Sequence, residues 1–302
     1  MKEWQKRALQ LLDGIQTAVD RPMAEETSFK IGGPLDLLAV VTSERQLDRV
    51  LQFCRAENLP WFILGLGSNL LVRDGGIRGV GIKLLGEFAA WRQEAAAVTA
   101  GAGVVLGDLA KETADRGLSG LEFACGIPGS LGGAVFMNAG AYAGEMSQVL
   151  ERVQAYDPER GFIWYEKEAL RLGYRSSIFQ ESGQVIARAV LRLAAADRAA
   201  ANAKVADLTC RRAAKQPLEL PSAGSVFRRP AGYYVGTMIE EAGLKGYAVG
   251  GAQVSPKHAG FIVNTGDATA RHVLDLIAHV QRVIWEKFNV RLETEIRVVG
   301  EG

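Results

Sequence analysis

Two glycine-rich segments carry the residue types best suited to holding an anion, at residues 65–69 and 126–133. Glycines let main-chain N–H groups approach a ligand closely, and two or three N–H groups aimed at one point form a concave anion site. Neither segment ends in the Gly-Lys-Ser/Thr of a Walker loop, so the phosphate contacts must come from the main chain and from hydroxyls. Together the two segments predict a site for a phosphate or, better, a pyrophosphate.

The second segment lies in a stretch without any charge, residues 123–144, which is long enough to raise the alternative of a membrane span. Its glycines, Pro128 and Asn138 dilute the apolar content below what hydrocarbon favours, so a span is excluded. A Rossmann motif is also excluded, because no buried strand leads into the glycines and no ribose-binding acid closes a βαβ unit.

Three further side chains are candidates for chemistry, although each has an ordinary interpretation when taken alone. Arg175 reads as an ion-paired arginine, and Ser225 reads as a turn hydroxyl, since no Gly-x-Ser-x-Gly elbow surrounds it. Glu295 reads as part of a ladder of surface ion pairs. The three histidines occur without a HExxH motif or a partnered cysteine pair, so we expect no metal.

Composition limits the class of protein. Hydrophobic residues at 48% and charged residues at 23% are ordinary for a soluble globular protein. With 35 basic and 34 acidic residues the net charge is +1, which offers no electrostatic case for nucleic acid. The three cysteines are far apart and the N-terminus has no signal-peptide core, so we expect reduced thiols in a cytoplasmic protein without a membrane anchor.

The elements that must position these residues follow from periodicity and capping signals. The first glycine segment lies between two short strands, residues 61–64 and 70–73, and the second follows a helix over 106–116. Other predicted elements include an opening helix to about Asp20, a strand plus turn over 27–34, a strand over 35–41, a helix capped by Ser43, a helix over 197–215, a helix over 269–288 and a final strand over 291–299. Composition changes predict an α+β protein of three domains, residues 1–78, 79–215 and 216–302.

Taken together, many segments in the same order resemble one family, the bacterial UDP-N-acetylenolpyruvoylglucosamine reductases. The similarity runs from about Thr27 to Gly300. The segments that carry it are residues 28–34 (SFKIGGP), 64–72 (LGLGSNLLV), 118–130 (LSGLEF through GIPGS), 138–142 (NAGAY), 173–177 (GYRSS), 222–227 (SAGSVF), 243–246 (GLKG), 257–264 (KHAGFIVN) and 292–297 (LETEIR).

The resemblance implies a two-part FAD-binding fold of the vanillyl-alcohol oxidase-like (PCMH) type, followed by a C-terminal α+β substrate domain. It implies FAD as cofactor, NADPH as co-substrate and an enolpyruvyl UDP-sugar as substrate. The residues to which it assigns FAD binding are Gly65, Gly67, Ser68, Asn69, Gly126, Ile127, Pro128, Gly129, Ser130, Gly133 and Asn138.

The same resemblance assigns the chemistry to residues outside the glycine segments. Arg175 would meet the charge that develops on the substrate carboxylate, Glu295 would polarise the same end, and Ser225 would donate the proton. Two features differ from many relatives: Thr237 stands where they carry a lysine, and the chain lacks an additional tyrosine-bearing loop.

Two alternatives remain open at the level of sequence. An FAD oxidase of the same fold would use oxygen and an alcohol or amine, and the histidines, all late in the chain, argue only against histidyl attachment of the flavin. A non-catalytic nucleotide-binding module would keep the glycine segments. The joint presence of Arg175, Ser225 and Glu295 tells against that module.

Overall fold

A computed structural model describes all 302 residues of the chain, residues 1–302. Its α-helices are α1 Glu3–Leu11, α2 Glu44–Ala56, α3 Leu106–Asp115, α4 Leu131–Phe136, α5 Met146–Val149, α6 Arg198–Lys215, α7 Val235–Glu241 and α8 Ala270–Phe288. None of these helices combines the length and the apolar character needed to cross a lipid bilayer.

Nineteen strands form two four-stranded sheets, one five-stranded sheet and three pairs. The strands are β1 Gln16–Pro22, β2 Pro34–Val41, β3 Trp61–Leu64, β4 Leu70–Val72, β5 Ile77–Leu84, β6 Trp91–Glu94, β7 Ala97–Gly101, β8 Leu118–Ser119, β9 Gly140–Ala141, β10 Gly144–Glu145, β11 Leu150–Asp157, β12 Gly161–Glu166, β13 Val185–Arg192, β14 Ala194–Ala195, β15 Ser222–Ser225, β16 Ala248–Val249, β17 Ala252–Val254, β18 Phe261–Asn264 and β19 Arg297–Val299. The first sheet has the order β1-β2-β5-β3, and β3 pairs with β5 in parallel.

The chain forms two compact units. The first, unit 1, comprises Met1–Ala18, Leu38–Gly65 and Val80–Arg212; the second, unit 2, comprises Val19–Leu37, Leu66–Gly79 and Ala213–Gly302. Each unit is therefore built from discontinuous stretches of sequence. The division into domains 1–78, 79–215 and 216–302 stays a prediction.

Unit 1 is organised around the antiparallel sheet β12-β11-β13-β7-β6. Its central strand β13 is buried at six of its eight positions, which fits its near-continuous run of apolar residues. The short helix α4 packs against β7 and β13, and α3 packs against the 3-10 turn Glu122–Ala124. The second glycine segment follows that turn and continues into the first residues of α4, and α3 contacts it through the bond from Leu106 N to the Gly129 carbonyl.

Unit 2 packs helix α8 against the antiparallel sheet β15-β18-β17-β16. The helix buries Val273, Leu276 and Val280 on one face. It begins at Ala270 because the Thr269 hydroxyl accepts a hydrogen bond from His272 N at 3.2 Å and the Asp74 carboxylate accepts one from Ala270 N at 2.9 Å. It ends at Asn289, which has a left-handed φ of 55°.

Most predicted elements are present within one or two residues of their expected limits, but three predictions were wrong. The opening helix ends at Leu11, residues 12–15 form a turn, and Gln16–Pro22 form β1. Residues 27–33 form a turn and an irregular segment, not a strand. The final strand covers only Arg297–Val299, and the residues before it form a single antiparallel bridge between Thr294 and Phe227.

Candidate active site

The two glycine segments meet at Ser130, within unit 1. A Cβ atom placed on Gly65, which follows β3, would lie 2.8 Å from Ser130 Oγ. Ser130 is buried, and its hydroxyl accepts a hydrogen bond from Gly133 N at 3.4 Å, which caps α4. A side chain at position 65 would displace the Ser130 hydroxyl, so glycine lets the main chain of the first segment approach the second closely.

The second segment presents main-chain donors without protein acceptors. The N–H groups of Gly126, Gly129 and Ser130 donate to no protein group, whereas the Gly129 carbonyl accepts a bond from Leu106 N at 3.0 Å. Gly129 has a φ of 146°, which side-chain-bearing residues rarely adopt. Between these donors, Ile127 is partly buried and Pro128 is exposed. Three N–H groups are therefore available to an external acceptor, as an anion site requires.

Arg212, on helix α6, lies against this segment and was missed at the level of sequence. A Cβ atom on Gly126 would lie 2.5 Å from Arg212 Cδ. The buried Nε of Arg212 has no hydrogen-bond partner, and burial lowers the pKa of its guanidinium. The signal in the sequence was the spacing 201, 205, 208 and 212, since the first three of these positions form the buried face of α6.

Asn138, just after α4, uses its side chain to hold neighbouring segments of unit 1. It is buried and has a left-handed φ of 42°. Its Nδ2 donates to the Gly173 carbonyl at 2.9 Å and to Glu145 Oε1 at 3.2 Å, and its Oδ1 accepts from Ser147 N at 2.9 Å. The amide is thus engaged by protein groups, and it fixes the start of the segment that carries Arg175.

Arg175 lies in a tight turn between Gly173 and Ser176 in unit 1. Its φ of 55° is left-handed, a conformation that costs about 1 kcal/mol for a residue with a side chain. Its Nη2 donates to the Gly140 carbonyl at 3.0 Å, and the guanidinium carbon lies 5.2 Å from the centre of the Tyr174 ring. Strained geometry held by side-chain contacts is typical of functional sites.

Ser225 is the last residue of β15 in unit 2, where it pairs with Phe261 of β18. The preceding Gly224 has a φ of 79°, at an irregularity in the register of the two strands. Ser225 is exposed, and its hydroxyl makes no hydrogen bond to protein. The next residue, Val226, is buried and its N donates to the Gly260 carbonyl at 3.0 Å, so the main chain on which Ser225 sits is firmly held.

Glu295 and Asn69 are brought beside this strand, also within unit 2. Glu295 N donates to the Val226 carbonyl at 2.7 Å, and the Glu295 carbonyl accepts from Asn69 Nδ2 at 3.2 Å. Gly67, earlier in the same loop, has a φ of 62°, and a Cβ there would lie 2.3 Å from the Glu26 carbonyl oxygen. Ser68, between them, is partly buried.

The predicted site residues therefore form two groups. Unit 1 holds Gly65, residues 126–130, Gly133, Asn138 and Arg175, and unit 2 holds Gly67, Ser68, Asn69, Ser225 and Glu295. The fold brings together residues that are more than 200 positions apart in the sequence, such as Asn69 and Glu295. No cluster of three or more histidine, cysteine or acidic side chains is arranged to hold a metal ion.

Comparison with known proteins identifies two matching domain families. Residues 35–163 match an FAD binding domain, and residues 216–299 match the UDP-N-acetylenolpyruvoylglucosamine reductase C-terminal domain. The expected α+β fold with a flavin-binding part and a C-terminal domain is confirmed. The glycine segments at 65–69 and 126–133 both fall inside the FAD-binding match, and the unpaired N–H groups of Gly126, Gly129 and Ser130 and the unpaired Arg212 Nε fit a group that carries phosphates.

Whole-chain relatives agree with the domain matches. A UDP-N-acetylenolpyruvoylglucosamine reductase of Clostridium perfringens is 50% identical over 282 residues, 93% of this chain and 92% of the relative. One of Syntrophomonas wolfei is 52% identical over 283 residues, 94% and 95% of the two chains.

A solved structure shows the same relationship. The UDP-N-acetylenolpyruvylglucosamine reductase of Thermus caldophilus superposes with a TM-score of 0.81 at 37% identity, over 94% of this chain and 98% of that chain. The family expected from the sequence motifs is confirmed. Fold, domain content and near-complete coverage agree, and the chain belongs to the family of UDP-N-acetylenolpyruvoylglucosamine reductases.

Proposed function

We propose that this protein reduces the enolpyruvyl group of UDP-N-acetylglucosamine enolpyruvate to give UDP-N-acetylmuramate. The reaction uses bound FAD and takes its electrons from NADPH, in the synthesis of peptidoglycan precursors in the cytoplasm. The observation that carries the proposal is that a chain of this family keeps three unpaired N–H donors in its glycine segment and an unpaired hydroxyl at Ser225. Its partners are small molecules, the UDP-sugar and NADPH, and neither nucleic acid nor a membrane.

The glycine segments hold FAD in this proposal. The main chain around Gly65, Gly67, Ser68 and Asn69 and around Gly126, Ile127, Pro128, Gly129, Ser130 and Gly133 receives the cofactor. The donors at Gly126, Gly129 and Ser130 are suited to its pyrophosphate, and Asn138, which follows α4, fixes the chain after that helix through its bonds to Glu145, Ser147 and Gly173. Bound FAD supplies the transfer of a hydride from NADPH to the terminal methylene carbon of the enolpyruvyl group.

Ser225 donates the proton that completes the reduction. Hydride addition leaves negative charge on the carbon next to the substrate carboxylate, and a proton donor must lie within hydrogen-bond reach of that carbon. A serine hydroxyl is a weak acid, so it serves only a strongly basic partner from which water is excluded. The free hydroxyl of Ser225 and the buried Val226 behind it support this role, because the donor is available and its main chain is fixed.

Arg175 and Glu295 act on the substrate carboxylate. A guanidinium stays protonated at every physiological pH, and it binds the carboxylate more strongly as charge develops there. Glu295 helps to organise and polarise the same end of the substrate. Asn138 is a positioning residue for Arg175, because its amide holds the Gly173 carbonyl two residues before the arginine.

The test is a pair of measurements on the purified protein. A visible flavin spectrum is expected, and NADPH oxidation without oxygen should become catalytic only when the enolpyruvyl UDP-sugar is added. A colourless protein whose flavin spectrum is not restored by added FAD would overturn the proposal. NADPH-independent turnover of an alcohol or amine with oxygen would instead support the oxidase alternative.

A further inference from the structure

Arg212 occupies a position on helix α6 where an apolar residue is expected. The buried face of the helix consists of Ala201, Val205 and Leu208, and Arg212 continues their spacing by one more turn. Removing a guanidinium from water is unfavourable unless a partner compensates for the lost hydration. An arginine at such a position therefore calls for a counter-ion.

The protein supplies no such counter-ion. The guanidinium of Arg212 makes neither an ion pair nor a hydrogen bond with another residue, and its Nε is buried. Its neighbour Arg211 provides the contrast, because it is exposed and pairs with Asp207 one turn earlier, at 2.9 Å. Of the two adjacent arginines, the exposed Arg211 has a carboxylate partner, whereas the partly buried Arg212 has none.

Contacts of α6 place Arg212 beside the glycine segment. The Cys125 thiol lies 3.6 Å from Thr209 Oγ1 and 3.7 Å from the Val205 carbonyl, both on α6. The helix therefore packs against Cys125, which directly precedes Gly126. Any side chain at position 126 would collide with Arg212, since even a Cβ would be 2.5 Å from its Cδ and 3.3 Å from its Nε. The guanidinium thus adjoins a segment with three unpaired N–H groups.

We propose that Arg212 binds a phosphate of the diphosphate in FAD, an inference that rests on the proposed function. A planar guanidinium matches phosphate oxygens with two parallel N–H donors, and such charge-assisted bonds are stronger than bonds between neutral groups. The phosphate is the partner that the buried Nε lacks, and Gly126 is the residue that allows the two to approach. Arg212 is then a binding residue for the cofactor, with no part in the transfer of the proton.

The experiment compares ligand binding to FAD-free protein prepared from the holoenzyme. The variants are Arg212→Met, Arg212→Lys and, as matched control, Arg211→Met, and the ligands are FAD, riboflavin and UDP. Dissociation constants are measured from flavin fluorescence and by calorimetry, and the melting temperature of the FAD-free protein is recorded for each variant.

For Arg212→Met we expect FAD to bind roughly 10- to 100-fold more weakly, while riboflavin, which has no phosphate, binds as to the parent. The melting temperature of the FAD-free variant should be unchanged or higher, because an unpaired buried charge has been removed. The FAD affinity of Arg212→Lys should lie between those of the parent and of Arg212→Met, and the affinity of Arg211→Met should equal that of the parent. If Arg212→Met does not fold, the lysine variant decides, by the same comparison of FAD with riboflavin.

Unchanged FAD affinity in Arg212→Met, or an equal loss for riboflavin, would overturn the inference. A loss of UDP binding with FAD binding intact would overturn it as well, because the anion would then belong to the substrate nucleotide. Parent protein that binds no FAD would instead refute the proposed function itself, which separates the two failures.

Discussion

The glycine segment of unit 1 offers main-chain donors, whereas the Ser225 strand of unit 2 offers a side-chain donor. In residues 126–133 the useful groups are main-chain N–H donors, and they belong to two glycines and a serine, whose small or missing side chains leave the donors accessible. At Ser225 the useful group is one side-chain hydroxyl. The main chain around it is already paired, since Ser225 pairs with Phe261 and the Val226 carbonyl accepts a hydrogen bond from Glu295 N. Adding a side-chain carbon at a glycine should therefore damage the first region, whereas removing the serine hydroxyl should damage the second.

The largest expected effect is that of removing the Ser225 hydroxyl. Ser225→Ala should lower the turnover of the UDP-sugar by roughly 10²- to 10⁴-fold, because the proton donor is lost. Reduction of the flavin by NADPH should continue at the parent rate. Stopped-flow measurement of the two half-reactions checks this.

A matched control for that variant lies on the same strand. The contact of Ser222 with Ser28 Oγ uses the main-chain carbonyl of Ser222 and not its hydroxyl. Ser222→Ala keeps this contact, so both half-reactions should be unchanged. Equal loss of both half-reactions in Ser225→Ala would contradict the proton-donor role and remove the contrast between the two regions.

Next in size is the loss of the Asn138 amide, a buried side chain of unit 1 that holds neighbouring segments in place. Asn138→Ala should lower the free energy of unfolding by about 3 kcal/mol, since it abandons buried partners and leaves alanine in a left-handed conformation. Chemical denaturation of the FAD-free protein measures the change.

Asn58 separates the two causes. It is exposed and has a similar φ of 52°, so Asn58→Ala carries the conformational cost alone, roughly 1 kcal/mol. Equal losses in the two variants would mean that the hydrogen bonds to Gly173 and Ser147 contribute nothing, and the assignment of Asn138 to the Arg175 turn would fail.

A smaller loss is expected from adding a methyl group inside α4. A Cβ at Gly132 would lie 2.8 Å from the Cβ of Ala102, so Gly132→Ala should cost about 2 kcal/mol of stability through overpacking. At the adjacent Gly133 a Cβ meets only Ser130 Oγ, at 3.6 Å, so Gly133→Ala should leave the stability of the FAD-free protein unchanged or raise it. Thermal unfolding of both variants compares them, and a Gly132→Ala protein as stable as the parent would contradict the close packing.

The smallest effect concerns Glu122, a buried carboxylate just before the glycine segment. Burial alone would raise its pKa, but bonds from Ser119 Oγ at 2.6 Å and Gly120 N at 2.7 Å, with Lys204 at 3.4 Å, lower it below the ordinary 4.5. A lowered pKa in the folded state means that the stabilisation is complete above about pH 4.5 and is lost as the pH falls below it.

Stability curves in acid test this expectation. The parent should lose stability more steeply below pH 4.5 than Glu122→Gln does, because only the parent has a carboxylate to protonate at this position. Glu112→Gln, at an exposed site on α3, should follow the parent. Parallel curves for the parent and Glu122→Gln would show that the carboxylate does not anchor the glycine segment through its charge.

Local signals predicted the elements of the fold well where one pattern dominates. Ser43 and Thr269 start their helices as their side chains require, and Gly117 follows α3 with a φ of 72°. Prediction failed where non-local bonds decide. The segment 291–296 alternates like a strand, yet it forms only one antiparallel bridge, from Thr294 to Phe227, and two of its carbonyls accept hydrogen bonds from the side chains of Asn69 and Gln281.

The sequence by itself determined which residue types are present, the order of the motifs and thereby the family, because these depend only on the chain. The tertiary structure decided which of them touch: Gly65 against Ser130, Asn69 against Glu295 and, above all, Gly126 against Arg212. No sequence motif marks Arg212, because what distinguishes it is that its buried Nε has no hydrogen-bond partner in the folded protein. Whether a buried charge is paired depends on every segment packed around it, and no local pattern contains that information.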